Sequence, residues 1–172
     1  MIGIQAPQWS CEAYVGGEVE TLSSSSFEGR WLVLYWYPLD FTSVCPTEIR
    51  EFERLKSEFD LDDVAIVGAS TDSYHSHRAW FEDREVFPEP ITHPILADTS
   101  HAVSRAFGVL EPESGTAYRA TVIIDDEGRI RSMSVNDAQV GRSPREVLRT
   151  VQALLSGGLC GADWRRGEPH AA

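Results

Sequence analysis

Positive charge is what this chain has least of. Lys56 is its one lysine, and fifteen basic residues face twenty-seven acidic ones, for a formal charge of −12 and a pI near 4.7. Such a chain lacks the cationic footprint that binding a phosphate backbone requires, and it is poorly matched to an anionic membrane surface. Long apolar runs are missing too. None approaches the ~20 residues of a bilayer span, and Met1–Trp9 holds no basic segment leading into an apolar one. Cysteine is scarce. Cys11, Cys45 and Cys160 are odd in number, a poor fit to a secreted disulfide framework, and too scattered for a structural zinc cluster. No internal repeat or low-complexity block occurs beyond the short run Ser23–Ser26. The expectation is a soluble, cytoplasmic protein with neither nucleic acid nor membrane as partner.

What remains is a chain of ordinary composition, 42% hydrophobic over 172 residues, which can bury a core without disulfide staples. Tyr14–Leu22, interrupted by Gly16-Gly17, reads as a hairpin. The apolar run Trp31–Tyr37, ended by Pro38, reads as a central strand buried on both faces. Ile49, Phe52, Leu55 and Phe59 recur at helical spacing. Val64–Val67 is a second strand, with Gly68–Ser73 turning out of it, and residues 73–84 form a helix carrying Trp80 and Phe81. Pro94–Ala97 is a short strand, after which Asp98 can cap a helix ended by Gly108. Thr121–Ile124 and Ile130–Val135 flank the hairpin signal Asp126-Glu-Gly128. Ser143-Pro-Arg-Glu146 starts the last helix with an N-cap serine, a proline and a capping-box glutamate, and Gly157-Gly158 stops it. Strands alternating with helices imply an α/β protein, and the late hairpin makes the sheet mixed. A thioredoxin-like arrangement, with an N-terminal β-hairpin and helices flanking a central mixed sheet, fits this order. The pattern alone leaves other three-layer folds open. Residues 1–158 form the domain and 159–172 a polar tail.

Cys45 follows a buried strand and precedes Pro46, which puts it at or beside a helix N-cap, with Glu48 at the capping-box position. A sulfur there faces unpaired backbone N–H groups and the positive end of the helix dipole, and both favour thiolate. Cysteines so placed titrate at about 3.5–7.5 instead of about 8.5. The competing reading is a small buried apolar residue. Cys11 reads as structural or adventitious. His75 and His77 form a His-x-His pair with no further ligand spacing to support a metal site, and read as polar positions at a helix start.

The segment Pro38-Leu-Asp-Phe-Thr42-Ser-Val-Cys45-Pro-Thr-Glu48 resembles the active-site signature of the peroxiredoxins, in the form of the typical two-cysteine, alkyl hydroperoxide reductase C type. Thr71–Trp80, Arg119–Asp125 and Val140–Ser143 resemble further family segments, and Leu159-Cys160-Gly-Ala-Asp-Trp164 resembles the resolving-cysteine motif.

The resemblance implies a thiol peroxidase needing no haem, flavin or metal cofactor. Cys45 would be the peroxidatic cysteine, attacking a hydroperoxide and becoming a sulfenic acid. Thr42 would hydrogen-bond the peroxide, Pro38 would shield the pocket, Arg119 would hold the thiolate anionic, and Glu48 would orient Arg119. Glu48 beside the sulfur makes sense only with a cation that outweighs it. Cys160, 115 positions on, would resolve the sulfenic acid from a partner subunit. The implied partners are a hydroperoxide, a thioredoxin-like or dedicated disulfide reductase, and a second copy in a homodimer, with a decamer as the family's larger assembly. Gly161 stands where the family has proline after the resolving cysteine, which should loosen the tail. A Gly-Gly-Leu-Gly insertion and a Tyr-Phe ending are lacking, which implies resistance to overoxidation. Two rivals remain. A thioredoxin-like disulfide reductase needs a Cys-x-x-Cys pair, and none exists; a stress-induced holdase with redox-switched assembly needs no turnover.

Overall fold

The computed structural model describes residues 1–171. Its frame is one seven-stranded sheet in the order β2-β1-β5-β4-β3-β6-β7. β1 (Ser10–Val15) and β2 (Glu18–Ser23) make the N-terminal hairpin across Gly16-Gly17, both at positive φ. This hairpin belongs to the main sheet, because β1 pairs antiparallel with β5 (Ile95–Ala97). β3 (Trp31–Trp36) lies parallel to β4 (Val64–Ser70) and antiparallel to β6 (Arg119–Ile124), and β7 (Ile130–Asn136) closes the far edge. The expected mixed α/β sheet is therefore present.

The alternation of β3 explains the layering. Val33, Tyr35 and Tyr37 point into one core, with Phe52 and Phe59 of α1 (Cys45–Leu61) and Val147 and Val151 of α4 (Pro144–Ser156). Leu32, Leu34 and Trp36 point into the other, with Val103 of α3 (Ala102–Ala106) and the adjoining Phe107. A strand buried on both faces has no polar side to show, hence its continuous apolar sequence. Trp80 and Phe81, on α2 (Tyr74–Phe81), are both packed in the first core.

Several local expectations are corrected. β4 continues through Ser70, because Gly68 lets it pass under the Tyr35 ring; a Cβ there would lie 2.8 Å from the tyrosine oxygen. α2 ends at Phe81, three residues short of the expected end. Asp98 does cap α3, but from outside it: its carboxylate accepts from Val103 N and Ser104 N while His101 occupies the N-cap. Ser143 accepts from Glu146 N as an N-cap should. The reciprocal half of that capping box is missing, since the Glu146 carboxylate binds Arg149.

The C-terminal residues fold back on their own chain. Trp164 is buried and stacked on His170 at 5.6 Å; Arg149 donates to its carbonyl, and Arg166 pairs with Asp62 just past α1. No helix among the described residues is long and apolar enough to cross a membrane.

Candidate active site

β3 delivers the chain to Pro38, which is buried, and a short loop leads from there to α1. α1 takes Val44 as N-cap, with no side-chain capping bond, so Cys45 is its first residue and Pro46 its second. Proline tolerates this turn because its missing N–H has no helical partner there. Cys45 is fully buried.

Glu48 is turned inward and performs no capping, which corrects the capping-box placement. One helical turn brings its carboxylate to the same end of α1 as the sulfur, where two arginines meet it. Arg119, at the start of β6, donates from Nη1 to Cys45 Sγ at 3.2 Å and to Glu48 Oε2 at 2.7 Å, and from Nε to the Ala138 carbonyl at 2.6 Å. Arg142, just before α4, reaches Glu48 Oε1 with its backbone N–H at 2.7 Å and its Nε at 3.0 Å. Its remaining donors go to the carbonyls of Ala120 and Trp36 and to Thr121 Oγ1, and its guanidinium lies over the Tyr35 ring at 5.2 Å. Burial pulls the Arg142 guanidinium below its ordinary value against the opposing pull of Glu48. Arginine keeps its charge at neutral pH nonetheless. Two buried cations thus face one buried carboxylate, and the remaining positive charge is directed at the sulfur by Arg119.

The structure therefore brings together Cys45, Glu48 and Arg119. Thr42 lies in the preceding loop, exposed, with its hydroxyl donating to the Leu39 carbonyl at 2.9 Å. Cys160 is elsewhere. It sits beyond the C-terminal end of α4, half-buried, with Sγ 3.3 Å from Ser156 Oγ. Arg142 fixes the other end of α4 against Glu48, so the thirteen residues of that helix, about 20 Å long, run from the Glu48 contact to the segment that carries Cys160. Cys11 lies outside this cluster, and burial, with Asp98 and Glu12 nearby, pushes its thiol up to about 12.

Sequence reasoning missed two participants. Arg142 was visible only as part of Val140–Ser143, and nothing in its spacing distinguishes an inward arginine from a solvated one. His77, expected as a polar helix-start residue, is fully buried; its Nδ1 meets Asp40 Oδ2 at 2.8 Å and its Nε2 the Leu96 carbonyl at 3.1 Å. Among the described residues no group of three or more His, Cys, Asp or Glu could hold a metal.

Known proteins match this arrangement along nearly its full length. The AhpC/TSA family model covers residues 2–133. A thioredoxin peroxidase of Fasciola hepatica is 44% identical over 93% of this chain and 86% of its own. A putative peroxiredoxin of Bacillus subtilis, YkuU, is 41% identical over 98% and 96%. Among solved structures, the reduced 2-Cys peroxiredoxin of Plasmodium vivax superposes with a TM-score of 0.92 at 32% identity, covering 98% of this chain and 91% of that one. AhpC of Mycobacterium tuberculosis gives 0.87 at 36% identity, over 96% and 98%. The chain belongs to the AhpC/TSA family and is a peroxiredoxin, a thiol-based peroxidase.

Proposed function

We propose that this peroxidase works through Cys45 with Arg119 as its electrostatic partner, and that Cys160 of a second copy completes the cycle. The Cys45 thiolate attacks one oxygen of a hydroperoxide and the O–O bond breaks, so that the sulfur becomes a sulfenic acid and the departing hydroxide or alkoxide takes a proton from solvent to leave as water or an alcohol. The observation that carries this reading is the single Arg119 Nη1 that touches both Cys45 Sγ and Glu48. A fixed donor beside the sulfur is already in place to stabilise an anion there and charge developing on the breaking bond. Thr42 has committed its proton to the Leu39 carbonyl, which leaves its oxygen free to accept from the peroxide O–H. Pro38, buried just after β3, has the role of shielding the pocket from bulk water.

Resolution is the work of Cys160. The thirteen residues of α4, about 20 Å of helix, lie between the Arg142–Glu48 contact and the segment that carries Cys160, which supports a Cys160 from a partner as the resolving thiol. Its thiol attacks the sulfenic sulfur, the S–O bond breaks, and water leaves as an intersubunit disulfide forms. A dithiol protein of the thioredoxin kind, or a dedicated disulfide reductase, then reduces that bond by exchange. The minimal unit is a homodimer, with a decamer of dimers as the larger form, and a reducing cytoplasm suits its three free thiols.

One equivalent of hydrogen peroxide should convert the reduced protein to a dimer band on a non-reducing gel, with Cys45 joined to Cys160 in the peptide map. Cys160→Ser should remove the band, and Cys45→Ser should abolish peroxide consumption with a dithiol donor. An oxidised parent that stays monomeric would overturn intersubunit resolution, and consumption surviving in Cys45→Ser would overturn the role of Cys45.

A further inference from the structure

Cys160 rests just past the C-terminal end of α4, where unpaired carbonyls and the helix dipole make the surroundings negative. Its sulfur lies 3.6 Å from the Ala153 carbonyl and 3.7 Å from the Gly158 carbonyl. Carbonyls only accept, so these contacts hold the proton on the sulfur. A thiol so held does not attack, because the thiolate is the nucleophile. The third contact differs in kind. Ser156 Oγ stands 3.3 Å from the sulfur and 3.1 Å from His170 Nε2. The Ser156 hydroxyl also faces the Ala153 carbonyl at 2.7 Å, so a turn about one C–O bond moves its proton from that carbonyl to the imidazole. Thiol, hydroxyl and imidazole thus form one line of hydrogen bonds. His170 is exposed and can exchange its protons with water.

Several contacts place the imidazole. Its ring stacks on that of buried Trp164, with centres 5.6 Å and planes 14° apart. It lies so close to Gly158 that a Cβ there would come within 2.5 Å of three ring atoms. The Trp164 indole N–H donates to the Glu168 carbonyl at 3.1 Å, and the Ala171 N–H to the Leu159 carbonyl at 2.7 Å, which closes the tail on itself around Cys160. Arg131 of β7 and Arg149 of α4 line the cleft beside the sulfur. The tail adds two acids: Asp163 near Arg149, and Glu168, whose carboxylate accepts from the Arg165 N–H. The two arginines favour an anion on the sulfur once its proton has gone.

We propose that His170, acting through Ser156, draws the proton from Cys160 and so prepares it to resolve the sulfenic acid. The inference deepens the reading that oxidised Cys45 condenses with Cys160, and rests on it for its purpose. The S–H proton passes to Ser156 Oγ as the Ser156 O–H proton passes to His170 Nε2. A thiolate cannot donate to the Ala153 and Gly158 carbonyls, which then repel it, so the step that activates the sulfur also frees it from its resting place. The sulfur attacks the sulfenic sulfur of the partner subunit's Cys45, an S–S bond forms and the S–O bond breaks. The departing hydroxide takes a proton from solvent to leave as water, and the imidazolium returns its own proton to solvent.

Three variants break the line at different points. His170→Gln keeps a side chain that can bond Ser156 but does not titrate, and Ser156→Ala removes the hydroxyl. Gly158→Ala pushes the ring aside and leaves both partners in the chain, at a residue without the positive φ that would itself oppose alanine. In the reduced parent, alkylation of Cys160 by iodoacetamide, read by peptide mapping, should rise across the range in which an imidazole titrates, about pH 5–8. In each variant it should be slower at pH 7 by about tenfold or more, and should rise only toward about 8.5, as an ordinary thiol does. Ser156→Thr, which keeps the hydroxyl, should follow the parent. Disulfide formation after one equivalent of hydrogen peroxide, measured by quenched flow, should shift in the same way while the preceding oxidation of Cys45 is unchanged. A rate lowered by one factor at every pH would mean that His170 only packs the tail, and a parental profile in Ser156→Ala would mean that no proton passes through it; either result overturns the proposal. Alkylation uses reduced protein without peroxide, so a failed alkylation profile counts against His170. Lack of a disulfide where that profile holds counts instead against Cys160 as the resolving thiol.

Discussion

Glu48 Oε1 accepts two hydrogen bonds from Arg142, one from its backbone N–H at 2.7 Å and one from its Nε at 3.0 Å, across 94 positions of sequence. The contact joins the start of α1 to the lead-in of α4 and leaves the other oxygen, Oε2, for Arg119. Glu48 is thus the centre of a buried ionic triad whose outer member touches the sulfur.

Glu48→Gln keeps the shape and removes the charge. Two buried guanidiniums would then face each other without a counter-ion, and breaking a buried pair costs about 3–5 kcal/mol. A urea titration should show a loss of that order with an unchanged slope, and peroxide reduction should slow because Arg119 loses its fixed position.

Arg119→Lys preserves the charge and loses the planar fork. A single ammonium cannot reproduce the set of bonds to the sulfur, Glu48 and the Ala138 carbonyl. The second-order rate of Cys45 oxidation, followed by stopped-flow fluorescence, should fall by about 10² or more, the usual cost of an oxyanion donor. A rate within twofold of the parent would show that only net charge matters.

Glu53 carries a pH-dependent share of stability. Burial alone would raise its carboxyl, but hydrogen bonds from His93 and Thr92 and the attraction of His93 outweigh this and hold it at about 2, against an ordinary 4.5. A depressed carboxyl contributes stability that is complete above the unfolded value and lost as pH falls toward the folded one. Relative to Glu53→Gln, the parent should hold an advantage of about 1–3 kcal/mol at pH 6, partial exposure taken into account, that shrinks between pH 4.5 and 2. Denaturation curves at pH 6 and pH 3 measure it. A gap that stays constant would mean the carboxylate charge contributes nothing.

Gly68→Ala tests the packing beneath the site. The added Cβ would lie 2.6 Å from Ile95 Cδ1 and 2.8 Å from Tyr35 Oη, atoms held in a fully buried core. Overpacking of this kind costs about 1–3 kcal/mol, and the melting temperature should drop accordingly.

Local order along the chain was legible because it depends on neighbours in sequence. The apolar run of β3 announced a strand buried on both faces, Ser143-Pro144 announced the start of α4, and Cys45-Pro46 announced a sulfur at a helix start. Their physical causes, side-chain periodicity and the unpaired N–H groups of a first helical turn, act over a few residues. Tertiary structure decided the rest. Whether Arg142 and His77 face water or a buried acid depends on which strand and helix ends meet, and these partners lie 94 and 37 positions away. The separation of Cys45 from Cys160 was likewise set by the direction in which α4 runs from its anchor on Glu48, a property of packing that no local pattern encodes.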